Sequence, residues 1–388
     1  MIKWIRRLLG SAHDASSGTP AEQPANSSRT DTEFTAEIVR ISRLSAHPGA
    51  DKLELARFEM AGIGETTYEV VTQKGTVKPG DLMAYFSVDC VLPTSHPDFA
   101  FLTQRLDGAG KTHFRLRAAR LRGIVSQGLL VPPPSNAKFG DQVAELYGVT
   151  YYRDAEPEDT RGPTKPTAKP KVQPMPVYGV ESLKKVPRLF EEGEAVAITE
   201  KIHGTNFRFG WVRRRFLGLP FGWKFVVGSH RVIKDSGGTG HFYGHDVWAQ
   251  AAKRMKLAEA TKKYKGYAFY GELYGYTYDG QKIQDLTYGR RPEDGPGLAI
   301  FDVKDLETGC WLTPMDRWDV AHECGLEHAP VLAVIEAYDS SLGRLFEGRG
   351  SALDPDTIKE GVVIESHRAP RRKAKYVLEQ YLMRKEAS

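Results

Sequence analysis

The sequence predicts an all-β barrel in the N-terminal part of the chain, followed by an α+β domain built on antiparallel sheets. Three observations carry that prediction. Five or so short β-rich runs fall within about 100 residues, a density that suggests a small closed barrel. A stretch dense in proline and charge, EPEDTRGPTKPTAKPKVQPMP at 156–176, then interrupts the apolar pattern. Beyond it, β-runs outnumber helix-like segments and do not alternate regularly with them, which argues against a doubly wound parallel sheet.

In chain order, the opening MIKWIRRLLG is basic and amphipathic, able to touch a membrane surface but too short and too charged for a signal peptide. Residues 11–33 are rich in Ser, Ala, Thr and Pro without an apolar period, so 1–33 reads as a disordered tail. The barrel is expected over 34–150. Its runs are 34–44, LELARFEM at 53–60, TYEVVT at 67–72 and LMAYFSVDCVL at 82–92, the last introduced by the turn KPGD. A further strand-like region, HFRLRAARLRGIVSQGLLVP at 113–132, carries Arg115, Arg117, Arg120 and Arg122. On a strand, Arg115 and Arg117 share one face, as do Arg120 and Arg122, and such a stripe can neutralise several phosphates. Residues 151–175 read as a linker and 176–388 as the second domain. In that domain AVAITEKI, FRFGWV, KFVVGSH, YAFYGELYG, GLAIFDV and GVVIES read as strands, with helix-like segments near 245–264 and 314–325.

Composition narrows the classes. The chain has 388 residues, 40% hydrophobic and 27% charged, as in ordinary globular proteins, and a net charge of +5 that permits a polyanionic partner without requiring one. Its three cysteines are far apart and form no CxxC pair, which speaks against a disulfide framework or a cysteine zinc site and makes a reducing cytoplasm the default. No run approaches the ~20 apolar residues that span a bilayer, so no stable membrane association is expected.

The stretch TEKIHGTNF concentrates the chemistry. The run AVAIT alternates like a strand, so Lys201 falls at its end, where a side chain can point into a cleft. Gly204 lets the backbone turn or approach a ligand, and Thr205 and Asn206 supply a hydroxyl and an amide. Beside a phosphate, such a lysine is either an electrostatic clamp or a nucleophile. A nucleophile must shed its proton, which requires a pKa well below ~10.4. Partners for the second role recur downstream. Arg231 ends a strand in VGSHR, and Glu272 lies between glycines in FYGELYG. Phe301 lies in the apolar IFDV, Glu360 at the mouth of EGVVIES, and Lys373 and Lys375 fall two apart in RRKAKY. A lysine, an aromatic platform, two carboxylates for a divalent metal and further cations for a triphosphate make a nucleotidyl-transfer site.

KIHGTN, SHR, GEL, FDV, EGVVI and KAK, in that order, resemble the successive motifs of the covalent nucleotidyltransferases, the superfamily of ATP-dependent ligases and mRNA-capping enzymes. Histidine in KxHGTN, and the preceding YGVESLKKVPRLFEEGEAVAITEKIHGTNF, are similar to the RNA ligase branch. HPGADKLELARFE, KPGDLMAYFSVDCVLP and RLRAARLRGIVSQGLLVP resemble N-terminal OB domains, the last two that of Deinococcus/Naegleria-type RNA ligases. The resemblance implies an N-terminal all-β OB barrel and an α+β nucleotidyltransferase domain; the spacing of Arg115, Arg117, Arg120 and Arg122 adds the expectation that the barrel grips RNA through them. It implies ATP as cofactor, with AMP carried covalently on Lys201, and a divalent metal, Mg or Mn, positioned by Glu272 and Glu360. Glu200 and Asn206 would hold the nucleotide, Phe301 would stack on adenine, and Arg231, Lys373 and Lys375 would bind phosphates. The implied substrate is RNA with 3′-OH and 5′-phosphate ends, in a nicked duplex or a broken tRNA.

Two other readings stay open at this point. One is a non-catalytic RNA- or tRNA-binding protein with a decayed ligase core; the other is a DNA-sealing or RNA-capping enzyme. Only 13 residues follow Lys375, too few for the C-terminal barrel of that last class. Two lesser motifs are noted. His241 and His245 have a zinc-compatible spacing in a glycine-rich stretch. VRRRFLGLPFGWKF at 212–225 reads as a basic hairpin that either tracks RNA phosphates or is simply solvated.

Overall fold

The computed structural model describes residues 34–66, 68–106, 111–152, 175–216, 219–234, 246–367 and 371–384. The expected tail at 1–33 lies outside them, as do His241 and His245 and all of the linker except Tyr151, Tyr152 and Met175. The architecture is mainly β with low helical content. Among the described residues no helix is long and apolar enough to cross a membrane. All three cysteines are free.

The N-terminal module is built on β1 (Ala36–Ala46), β2 (Leu53–Met60), β3 (Gly64–Glu65), β4 (Val70–Gln73), β5 (Leu82–Phe86) and β10 (Leu129–Val131). They form one sheet in the order β10-β5-β1-β2-β3, with β4 also on β2. A second sheet joins β6 (Cys90–Pro93), β7 (His113–Arg115) and β11 (Thr150–Tyr151), and β8 (Ala119–Leu121) pairs with β9 (Ile124–Ser126). Two-residue periodicity explains why β1 is central. Ala36 and Ile38 enter one core with Phe86, Leu92 and Phe99, whereas Val39 and Ile41 enter another with Phe58, Val70 and Tyr85.

The expected single strand region at 113–132 is instead four short strands. The chain leaves β7 after Arg115 because Leu116, only 8% exposed, turns into the core. The expected arginine stripe is broken with it. Arg117 lies outside any strand, and Arg122 sits in the β8–β9 turn with φ +51°.

The C-terminal module holds two sheets. One contains β12 (Glu181–Ser182), β22 (Lys373–Val377), β21 (Gly361–Ser366), β13 (Val196–Lys201) and β20 (Val331–Ile335), in that spatial order. The other contains β16 (Ile233–Lys234), β15 (Leu219–Gly228), β14 (Thr205–Phe216), β17 (Tyr267–Gly275), β18 (Pro296–Asp305) and β19 (Glu327–His328). Helices α1 (Val247–Arg254), α2 (Leu257–Ala260) and α3 (Pro314–Glu323) cover the outer face of this six-stranded sheet. Val247, Trp248, Ala251 and Ala252 put one face of α1 against Phe207, Phe209 and Phe269. Asp246 caps α1 through the Ala249 N–H, and Thr313 caps α3 through the Asp316 N–H. The short helix α4 (Glu379–Arg384) follows β22.

The two modules dock through charged contacts. Asp89 of the barrel accepts from Arg115 at 2.7 Å and pairs with Lys185. Arg188 binds buried Glu37 at 2.7 Å and the Ala61 carbonyl at 2.7 Å. Ser340 donates to the Ile63 carbonyl at 3.1 Å, and Arg120 donates to the Leu382 carbonyl of α4.

Candidate active site

Strand alternation places the site between the two sheets of the C-terminal module. On β13, Val196 and Ile198 enter one core, so Lys201 points the other way. On β22, Ala374 and Tyr376 enter that same core, which turns Lys373 and Lys375 toward Lys201's side. The register fixes their spacing: Lys201 faces Gly361, Thr199 faces Val363, and Val363 faces Lys375. Lys375 therefore lies on the same face as Lys201, across the intervening strand β21, where Gly361 has no side chain. On the facing sheet, Phe269 and Leu273 enter the outer core, which turns Glu272 inward. Asn206 is its direct cross-strand partner.

Lys201 Nζ lies 2.8 Å from Glu360 Oε2. Burial alone would raise the Glu360 pKa, but the His203 hydrogen bond and the Lys201 charge hold it below the ordinary glutamate value. Glu272 behaves oppositely. Burial, reinforced by the Glu360 charge, pushes its carboxyl up to about 8 against the pull of Lys201 and a hydrogen bond from the Gly204 N–H. Gly204 is required sterically: a Cβ there would meet the Leu273 carbonyl oxygen at 2.1 Å. Lys375 is lowered by burial and then by repulsion from Lys201 and Lys185. It forms no ion pair among the described residues.

Phe301 is aimed by a defect in the ladder. Tyr270 faces Asp302 and Gly271 faces Ile300, so Phe301 is the extra residue of a β-bulge, a device that re-aims a side chain. It lies half-buried between two apolar clusters, its ring 5.0 Å from that of Tyr178. Two acceptors are left bare and buried. Glu200 Oε2 takes the Ala352 N–H at 2.7 Å while Oε1 has no partner, and Asn206 Oδ1 has none either. An unpaired buried acceptor costs ~1–3 kcal/mol, so these two atoms fit a ligand that brings donors, as a nucleoside does.

The structure divides the predicted cations. Lys373 is committed to Asp302 at 3.0 Å and Glu365 at 3.4 Å, and burial lowers its pKa despite them. Arg317 and Arg371 bind the same two carboxylates, with Arg317 to Glu365 at 2.7 Å and Arg371 to Glu365 at 2.8 Å. Three cations over two acids leave this dry cluster with one excess positive charge in the cleft wall. Arg231 lies on an exposed turn, and none of the described contacts joins it to Lys201. Arg115 spends its guanidinium on Asp89 and the Tyr152 ring, 3.4 Å away, and Arg120 spends its own on α4. Of the four barrel arginines, Arg117 and Arg122 are exposed and Arg115 and Arg120 half-buried.

Several residues that hold the site had no sequence signal. The His203 N–H donates to the Tyr288 hydroxyl at 2.6 Å, and Tyr288 itself adopts φ +53°, a costly conformation for a bulky residue. The His203 ring lies 3.2 Å from the Tyr381 hydroxyl and 3.5 Å from Glu360. Tyr381 belongs to α4, so the helix that Arg120 grips also touches the histidine beside the Lys201–Glu360 pair. Asp302 and Glu365 stand inside motifs read for other residues. Their role shows only once the sheets are paired.

Among the described residues, no group of three or more His, Cys, Asp or Glu side chains is placed to hold a metal. Glu272 and Glu360 nevertheless fit a hard divalent cation of the magnesium kind, which is typically held by one or two carboxylates together with waters and substrate phosphates.

Comparisons with known proteins agree with this geometry. Residues 35–133 match an OB-fold domain family. No curated protein sequence matches. Among solved structures, the fold is similar to Naegleria gruberi RNA ligase with ATP and Mn, at 22% identity and TM-score 0.57, covering 91% of this chain and 99% of that one. The same ligase with AMP and Mn gives 22% identity and TM-score 0.58, over 91% and 98% of the two chains. Residues 194–377, which include Lys201, Glu272, Glu360, Lys373 and Lys375, match the RNA ligase family.

Proposed function

We propose that this protein is an RNA ligase that uses ATP to join a 3′-OH to a 5′-phosphate, as in a nicked duplex or a broken tRNA. The reading rests on one observation above all: Lys201 closes a strand with Glu360 at 2.8 Å, Lys375 on the same face across the intervening strand β21, and Glu272 on the facing sheet. The similar Naegleria ligase structures with ATP and Mn, and with AMP and Mn, favour an adenylate donor and a divalent ion.

In the proposed sequence Lys201 first loses a proton, with Glu360 the carboxylate in reach. Its amine then attacks the α-phosphorus of ATP. A P–N bond forms, the α–β bridging P–O bond breaks, and pyrophosphate leaves. Lys375 faces the developing charge, and the Asp302–Glu365 cluster adds its excess positive charge through Lys373 and Arg371. Glu200 and Asn206 offer bare acceptors to the nucleoside, and Phe301 offers a ring face. Glu272 and Glu360 would hold a divalent cation, which when bound would supply charge neutralisation at the phosphates. The RNA 5′-phosphate next takes AMP from Lys201, and the 3′-OH displaces AMP to seal the strand. Residues 34–150 form the OB module and 176–388 the transferase module in this reading, joined by a linker at 151–175.

The test is incubation with α-labelled ATP and Mg or Mn, followed by a strand-joining panel. Wild-type protein gains one AMP by mass spectrometry and Lys201→Ala gains none. An undiminished adduct on the alanine variant would place the nucleophile elsewhere.

A further inference from the structure

The hairpin β14–β15 is longer than the sheet that carries it. β17 pairs with β14 only from Thr205 to Gly210, and β16 pairs with β15 only at Val227 and Gly228. The β14–β15 register continues outward through Trp211↔Phe225, Arg213↔Trp223 and Phe216↔Leu219. Trp211 still accepts from the Gly266 N–H at 2.9 Å; beyond it, among the described residues, 212–216 and 219–224 pair with each other and with no further strand, as a two-stranded arm. Such a ribbon is marginal alone in water. Here its base is anchored by Trp211, which donates to the Ala258 carbonyl at 3.2 Å, and by Arg213, which pairs with Glu307 at 3.4 Å and lies 4.2 Å from the Trp223 ring.

Beyond that base the arm violates the usual rules for a solvated surface. Leu219 is 72% exposed and Phe221 is 65% exposed. Arg214 and Lys224 are exposed beside them. From Trp211 to Lys234 the chain carries six Lys or Arg residues and no Asp or Glu. A basic ribbon with an exposed aromatic ring fits a nucleic acid strand, since phosphates meet the cations and a base has a face to stack on Phe221.

Distance says which part of the ligand it meets. Arg214 lies eight residues along β14 from Asn206, roughly 25 Å at strand rise. That is too far for the phosphates of a bound nucleotide. We propose that the arm formed by 212–216 and 219–224 is an RNA-binding element that holds the substrate strand away from the break, with Arg214 and Lys224 on phosphates and Phe221 on an exposed base. The proposal rests on the RNA ligase reading for its ligand.

The test compares full-length wild type with Arg214→Glu/Lys224→Glu and with Phe221→Ala. Binding to nicked RNA duplexes is read by fluorescence anisotropy over a salt series. The duplexes extend either less or more than ~25 Å from the break. The double charge variant should bind the long duplex at least tenfold more weakly at low salt, with a log–log salt slope smaller by about two. Phe221→Ala should lose roughly tenfold with the slope unchanged. Both variants should bind the short duplex, and form lysyl-AMP from ATP and Mg or Mn without RNA, as wild type does. Wild-type affinity and salt slope on the long duplex in both variants would overturn the proposal, as would an equal loss on short and long duplexes. If no protein forms lysyl-AMP but binding still depends on the arm, the ATP chemistry fails and the arm stands.

Discussion

Glu272→Gln should stabilise the nucleotide-free protein, and the gain should grow with pH. A glutamate carboxyl raised from 4.5 to about 8 keeps its proton in the folded chain after the unfolded chain has lost it. Between those two values the unfolded state binds fewer protons, so stability falls as pH rises across the window, and the full penalty is present above about 8. Complete conversion of that rise would amount to ~5 kcal/mol. Glu272 faces a cleft that admits water, so we expect about half, ~2 kcal/mol. Glutamine has nearly the same shape, can still accept from the Gly204 N–H and never ionises. In chelator, by differential scanning fluorimetry, the variant's Tm advantage over wild type should be ~4–8 °C larger at about pH 9 than at about pH 5. Taking the difference between the two proteins cancels every other titrating group to first order. An advantage of the same size at both pH values would refute the assignment of a raised carboxyl to Glu272. A wild type favoured at high pH would show that Lys201 outweighs burial.

Three further outcomes follow from the same geometry. Lys375→Ala should leave cooperative unfolding intact and slow lysyl-AMP formation ~100-fold or more in a single-turnover assay, because in the proposed reaction the developing charge on the α-phosphate would lose a partner cation. Asp302→Ala should lower stability by ~3–5 kcal/mol in denaturant titration, since Arg317, Arg371 and Lys373 would be left sharing a single acid in a dry setting. Tyr381→Phe and Arg120→Ala should each slow lysyl-AMP formation, and the double variant should be little worse than either single one. Multiplicative effects would show that α4 does not link the barrel to His203.

The local chemistry was legible in the sequence because it is a matter of neighbours along the chain. Alternation in AVAITEKI put Lys201 at a strand end, and the two-residue spacing of Lys373 and Lys375 put them on one face, as β22 has them. The order of the motifs implied a nucleotidyltransferase, and the matches to an RNA ligase family and an OB-fold family agree with the branch it resembled. Tertiary structure decided what each charge is used for, because charges are paired across sheets and not along strands. Lys201 meets Glu360 across 159 positions, and Lys373 is absorbed by Asp302 and Glu365 while Lys375 is not. No periodicity could show that Arg115 is spent on Asp89 and Arg120 on α4, since these partners come from distant segments. The bulge that turns Phe301 is likewise a mismatch between two strands, invisible in either one alone. Sequence sets which faces are polar and which residue types are present; burial and long-range pairing set which of those charges remain available to a ligand.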